Sequence, residues 1–130
     1  QPQLIRYFST RGNGRPLWGY LARVHARFQQ WILDTAAANY DQDWLDYQHE
    51  IGLRHHRTKK NVTDGAPAVP HIDYRYIVPL VYPVVATLRP FLGAKGHTPE
   101  QVERMLEAWL KSVLLQVALW SQPYIKDGDF

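Results

Sequence analysis

The segment GLRHHRTKK at residues 52–60 holds two adjacent histidines, His55 and His56, among cationic side chains. An imidazole can ligate a metal ion or a haem iron, and it can transfer a proton near neutral pH. Clustered cations can instead bind phosphate groups. The doublet therefore raises three hypotheses: a metal or cofactor ligand, a nucleic-acid patch, or a helix end with solvated charges.

The spacing of apolar residues predicts which histidine is buried. Asp41 is a plausible N-cap for a helix. Its apolar stripe, at spacings of three and four residues, consists of Trp44, Tyr47, Ile51 and His55. His56 follows about 100° further round the helix, on the side of the basic residues. We therefore expect His55 to point inward and His56 outward.

An inward histidine at this position has several possible roles. It can be a satisfied core residue, and spacing alone leaves that reading open. A helical zinc site is disfavoured, because Ile51 and Lys59 occupy the positions one turn away and the chain has no cysteine. A single buried imidazole does meet the proximal requirement of a haem. Val24 and Phe28 could supply an apolar wall, with Arg27 at its rim, although the same stripe suits an ordinary core.

The basic residues favour no nucleic-acid partner. The net charge is only +3, and a helix C-terminus attracts cations through its dipole. The cations concerned are Arg54, Arg57, Lys59 and Lys60. The sequence also shows no catalytic serine arrangement, phosphate-binding glycine loop or paired-carboxylate site. We expect no nucleic-acid binding, and no catalytic residue is assigned.

The elements around the doublet predict one all-α domain over residues 1–130. Pro16 can open a first helix, and the capping-box residues Thr98 and Gln101 begin a last one. Residues 63–70 form a loop by composition. The segment 74–92 is ambiguous, because its β-branched residues favour a strand whereas its prolines oppose a central one.

Composition and termini favour a soluble, cytoplasmic protein that binds no membrane. The longest apolar run, Tyr76 to Leu88, is too short to cross a bilayer and lies between Arg75 and Arg89. The chain begins at Gln1 without an initiator Met, so we expect that a natural N-terminal part is missing.

Four long segments resemble the protoglobins, single-domain globins related to the globin-coupled sensors. They are RFQQWILDT, DWLDYQHEIGLRHHRTKKNVTDG, YPVVATLRPFL and HTPEQVERMLEAWLKSVLLQVALWSQPYIK. The resemblance covers nearly the whole chain and runs without gaps through the histidine doublet. It implies a globin fold with the family's E, F, G and H helices present and its earlier helices absent from this chain.

The resemblance also implies a cofactor and its contacts. By the family's pattern His55 is the proximal ligand of haem b, in agreement with the periodicity. Val24 and Phe28 would line the distal side, Arg27 would lie near the propionates, and Leu80 and Val84 would reach the haem from the G helix. The family's distal Trp-Tyr pair lies on an earlier helix, so no residue here can be assigned to it.

The function implied by the resemblance is binding of O2, CO or NO at the iron, by a homodimer formed through the G and H helices. Such a protein could serve oxygen transport or gas sensing. The alternative is a haem enzyme with NO dioxygenase, peroxidase-like or carbene-transfer activity, because an open iron site can support that chemistry.

Overall fold

A computed structural model describes residues 17–130, and this part of the chain contains helices and no strand. The prediction of an all-α fold is confirmed. Two short 3₁₀ helices span Val78–Leu80 and Gln122–Tyr124. The α-helices are α1 (Trp18–Ala37), α2 (Gln42–His55), α3 (Tyr74–Ile77), α4 (Val81–Ala94) and α5 (Pro99–Trp120).

The helix boundaries largely follow the local signals. The predicted start of the first helix at Pro16 lies outside the described residues. Asp41 caps α2, because its side chain accepts a hydrogen bond of 2.8 Å from the Trp44 backbone N–H. Thr98 and Gln101 form the reciprocal capping box at the start of α5.

The ambiguous segment is helical. Two of its prolines lie at element boundaries, where proline is better tolerated than in a helix interior: Pro79 in the 3₁₀ helix and Pro83 in the first turn of α4. Only Pro90 interrupts the interior of α4. Proline content therefore argued correctly against a central strand.

The core lies where α1, α2 and α5 meet. Its buried centre consists of Trp31, Ile51, Val113 and Val117. Two fully buried glutamines lie beside it, and each accepts an indole N–H: Gln116 from Trp31 at 2.6 Å and Gln48 from Trp120 at 2.9 Å. These bonds satisfy amides that would otherwise be costly to bury.

Gly52 allows α2 to approach the end of α5 closely. A Cβ atom at this position would lie 3.0 Å from the carbonyl oxygen of Trp120 and 3.2 Å from its Cα. Both neighbours are backbone atoms, so they cannot rotate away as a side-chain tip could. The glycine therefore helps to place Trp120 against the last turns of α2, which carry His55.

The α4 region presents a large apolar surface. Residues Tyr74–Ala94 form a continuous helical stretch. Its apolar window of 18 residues has a mean hydropathy of 1.5, and 6% of that window is buried. By length and composition this stretch could cross a membrane. The prediction from sequence rested only on the shorter run Tyr76–Leu88, which cannot cross a membrane by itself. One such helix is weak support for a membrane span, because helices of soluble proteins meet the same criterion.

Candidate functional site

A cavity of about 240 Å³ opens between α1, α2, α4 and α5. Its wall includes every residue that the sequence predicted for the site. These residues are Val24, Arg27, Phe28, His55, Leu80 and Val84. Three helices and the residue at the end of a 3₁₀ helix thus bring together side chains up to 60 positions apart in the sequence.

His55 is the last residue of α2 and is held in one orientation. Its Nδ1 lies 2.8 Å from the backbone oxygen of Ile51. A carbonyl oxygen only accepts hydrogen bonds, so Nδ1 must carry the proton and donate it. Nε2 then keeps its lone pair in the neutral imidazole. The backbone of His55 is fixed as well, because its oxygen accepts the Ile72 N–H at 3.0 Å.

The environment of His55 favours the neutral ring. Burial lowers its pKa, and the nearby positive charges of Lys60 and Arg54 lower it further, whereas the bond to Ile51 raises it. The net effect is a pKa below the ordinary histidine value. A neutral imidazole with one protonated nitrogen is the form that ligates a metal.

The apolar wall of the cavity has contributions from two parts of the fold. Val24 and Phe28 come from α1, and Leu80 and Val84 come from the start of the α4 region. Phe28 and Leu80 remain 43% and 44% exposed in the described chain. These side chains therefore have apolar surface that a ligand could cover.

Several aromatic wall residues were not predicted as site residues. Tyr47 belonged to the predicted stripe of α2, and its spacing looked the same as that of an ordinary core residue. Tyr20, Trp31 and Trp120 also line the wall, and none of them was predicted as a site residue. Only the convergence of the helices distinguishes the wall of a cavity from a filled core.

Cations at the rim are already paired with carboxylates. Arg27 binds Asp64 through two nitrogens at 2.6 and 3.1 Å, and Arg23 binds the same carboxylate at 3.0 Å. The hydrogen bond from Arg27, the largest effect, helps to lower the pKa of Asp64. Glu50 likewise pairs with Arg54 and Lys59 at 2.8 and 2.6 Å. Any acidic group of a ligand would have to share these cations.

His56 departs from the prediction that it faces solvent. The helix ends at His55, and His56 has an extended backbone with φ −82° and ψ 157°. Helical periodicity therefore no longer sets its direction. Its ring is half-buried and lies 5.1 Å from the ring of His71 and 5.0 Å from that of Tyr124, centroid to centroid.

The basic segment is also less exposed than its composition suggested. Lys60 is buried, with 3% of its surface exposed, and donates to the Val69 carbonyl at 2.5 Å. Asn61 donates to the Ala68 carbonyl at 2.7 Å, so its amide is engaged in the fold. Within residues 17–130, no cluster of three or more acidic or histidine side chains could hold a metal ion.

The sequence model of the protoglobin family matches residues 1–130. The chain belongs to the protoglobin family. None of the curated proteins compared with it matches the chain. Protoglobins are haem-binding globins, so the family supports haem and gas binding and agrees with the helical fold.

The donor set of the cavity fits a haem. A protoporphyrin needs one axial nitrogen, apolar contacts for the macrocycle and cations for the propionates. This protoglobin has His55, whose Nε2 keeps its lone pair, together with aliphatic and aromatic walls from α1 and α4. Three cations, Arg27, Arg54 and Lys59, are among the lining residues.

Proposed function

We propose that this protoglobin binds haem b through His55 and that the haem iron would bind O2, CO or NO reversibly. The observation that supports the proposal best is the hydrogen bond between His55 Nδ1 and the Ile51 carbonyl at the cavity wall. It fixes the tautomer that leaves Nε2 for the iron.

Each part of the site has a separate task in this proposal. The bound haem would supply the metal that takes up the gas. Ile51 orients His55 and makes its imidazole a stronger ligand, because the ring donates a hydrogen bond through Nδ1. Val24, Phe28, Leu80 and Val84 would exclude water from the macrocycle. Arg27 would meet the propionates while sharing its guanidinium with Asp64.

The proposal is tested by the absorption spectrum of the ferrous protein with and without CO, after reconstitution with haem. We expect a sharp Soret shift with CO in the wild-type protein and its loss or gross alteration in His55→Ala. His56→Ala is the matched control, because it removes the neighbouring imidazole and should keep the shift. Equal spectra for His55→Ala and the wild type would refute ligation by His55.

We also propose that two copies associate through α4 and α5 in a soluble, cytoplasmic dimer. No residue of α4 is buried in the described chain. Tyr82 and Phe91 are 79% and 71% exposed, and Leu114 on α5 is 50% exposed. A second copy would cover these exposed apolar side chains.

The mass in solution tests this assembly. Light scattering during size exclusion should give twice the chain mass for the wild type, and Phe91→Glu should shift it towards the monomer. Leu33→Glu is the control, since Leu33 is also exposed but lies on α1. A monomeric wild type, or flotation of the protein with phosphatidylcholine vesicles, would contradict a soluble dimer.

A further inference from the structure

Four aromatic rings form a continuous series that starts at His55. The imidazole lies nearly parallel to the Trp120 ring, with 6.0 Å between centroids and 14° between planes. Trp120 lies 5.9 Å from Trp31, and Trp31 lies 5.9 Å from Trp109. These separations fall within the range of direct aromatic contact.

The series leads away from the cavity. Trp120 and Trp31 line the cavity wall, whereas Trp109 does not. Trp31 is buried, with 6% exposed, but Trp109 is half-buried and thus reaches the surface of α5. The three indoles therefore connect the place proposed for the haem with solvent.

The two inner indoles share a polar feature. Their N–H groups donate to buried amide oxygens, Trp120 to Gln48 and Trp31 to Gln116. When an indole loses an electron, the ring becomes positively charged and its N–H becomes more acidic. An amide oxygen that accepts this N–H therefore stabilises the oxidised ring. The N–H of Trp109 has no partner among the described residues. Trp120 and Trp31 can thus carry the positive charge inside the protein.

We propose that Trp120, Trp31 and Trp109 form a relay that would supply electrons for the reduction of hydrogen peroxide by the bound haem and would carry the oxidising equivalents to the surface of α5. This inference rests on the proposed haem site and adds an electron-donating route to it. The short separations matter because electron tunnelling weakens steeply with distance. One-electron chemistry of this kind is within the repertoire of haem proteins.

The overall step is balanced with hydrogen peroxide as the oxidant. Its O–O bond breaks, and it takes up two electrons and two protons to give two water molecules. Two indoles give one electron each and become cation radicals, while the protons come from solvent. Two molecules of a phenol at the surface can then restore the indoles by giving one electron each, and each phenol releases a proton.

The relay predicts that the less exposed tryptophans of the series are oxidised in preference to the most exposed tryptophan. Trp18 is 75% exposed, and Trp44 packs against Tyr40 outside the series. A bulk oxidant should attack Trp18 first. The relay should instead place oxidation on Trp31, Trp120 and Trp109.

The experiment treats the haem-loaded protein with hydrogen peroxide and locates oxidised tryptophans by peptide mass spectrometry, with the tryptophan-radical signal recorded by electron paramagnetic resonance. The haem-free protein gives the background. Trp31→Phe should lower oxidation of Trp109 to the background level while Trp120 is still oxidised. Trp44→Phe is the matched control and should leave the pattern unchanged.

A second variant guards against a folding defect, because Trp31→Phe leaves the Gln116 oxygen without its indole donor. Trp109→Phe removes no hydrogen bond from the described residues, and it should lower peroxide-dependent oxidation of a phenol while Trp31 and Trp120 are still oxidised. If the wild-type protein shows no Soret shift with CO, the proposed haem site itself is refuted. A normal shift with oxidation mainly at Trp18 and Trp44 would refute the relay alone.

Discussion

Replacement of Gly52 by alanine tests the close approach of α2 and α5. The added Cβ would lie 3.0 Å from the Trp120 oxygen and 3.3 Å from Pro123 Cδ. Overpacking of this kind costs about 1–3 kcal/mol. The higher helix propensity of alanine offsets this cost by about 0.5–1 kcal/mol. We therefore expect Gly52→Ala to lower the free energy of unfolding by about 1 kcal/mol.

Gly93→Ala provides the matched control. Gly93 is also in a helix, and a Cβ atom there would meet no atom within 4 Å. This variant should be slightly more stable than the wild type, because only the propensity changes.

The assay is thermal and urea unfolding followed by circular dichroism. A loss of 1 kcal/mol should lower the Tm of Gly52→Ala by about 3–5 °C for a domain of this size. Equal Tm values for Gly52→Ala and Gly93→Ala would refute the argument, because the steric contact would then have no cost.

Two further predictions concern charge and capping. Asp64→Asn should remove the stabilising ion pairs of the Asp64 carboxylate. Because the pKa of Asp64 is lower in the folded state, the wild type has this stabilisation above about pH 4 and loses it as the pH falls further. The loss should be about 1 kcal/mol at pH 7, since solvent screens the half-exposed Arg27 partner, and urea unfolding at pH 7 and pH 3 should show the difference shrinking at low pH. Thr98→Ala should cost about 1 kcal/mol in urea unfolding by removing the hydrogen bond to the Gln101 N–H, with no change in the haem spectrum. An unchanged midpoint for Thr98→Ala would contradict a stabilising role for the cap.

Local rules predicted the helices well where the signal was close in sequence. Asp41 and Thr98 capped the helices that they were expected to cap, because a cap depends on residues within one turn. The segment 74–92 could not be assigned in this way, since β-branched residues and prolines gave opposing preferences. Tertiary contacts and the position of each proline decided that it is helical.

The candidate site was predicted only in part. Periodicity placed His55 inward, and the resemblance named Val24, Phe28, Leu80 and Val84, all of which line the cavity. The pairing of Arg27 with Asp64 could not be predicted, because the two residues lie 37 positions apart and are brought together by the loop after α2.

The sequence by itself determined the all-α class, the caps and the inward face that ends in His55, since these depend on neighbours within a few residues. The family followed from long segments of sequence. Only the tertiary structure decided that His56 turns towards His71 and that three tryptophans from α1 and α5 come into contact. Those features depend on where a helix ends and how helices cross, which residue spacing within one helix does not specify.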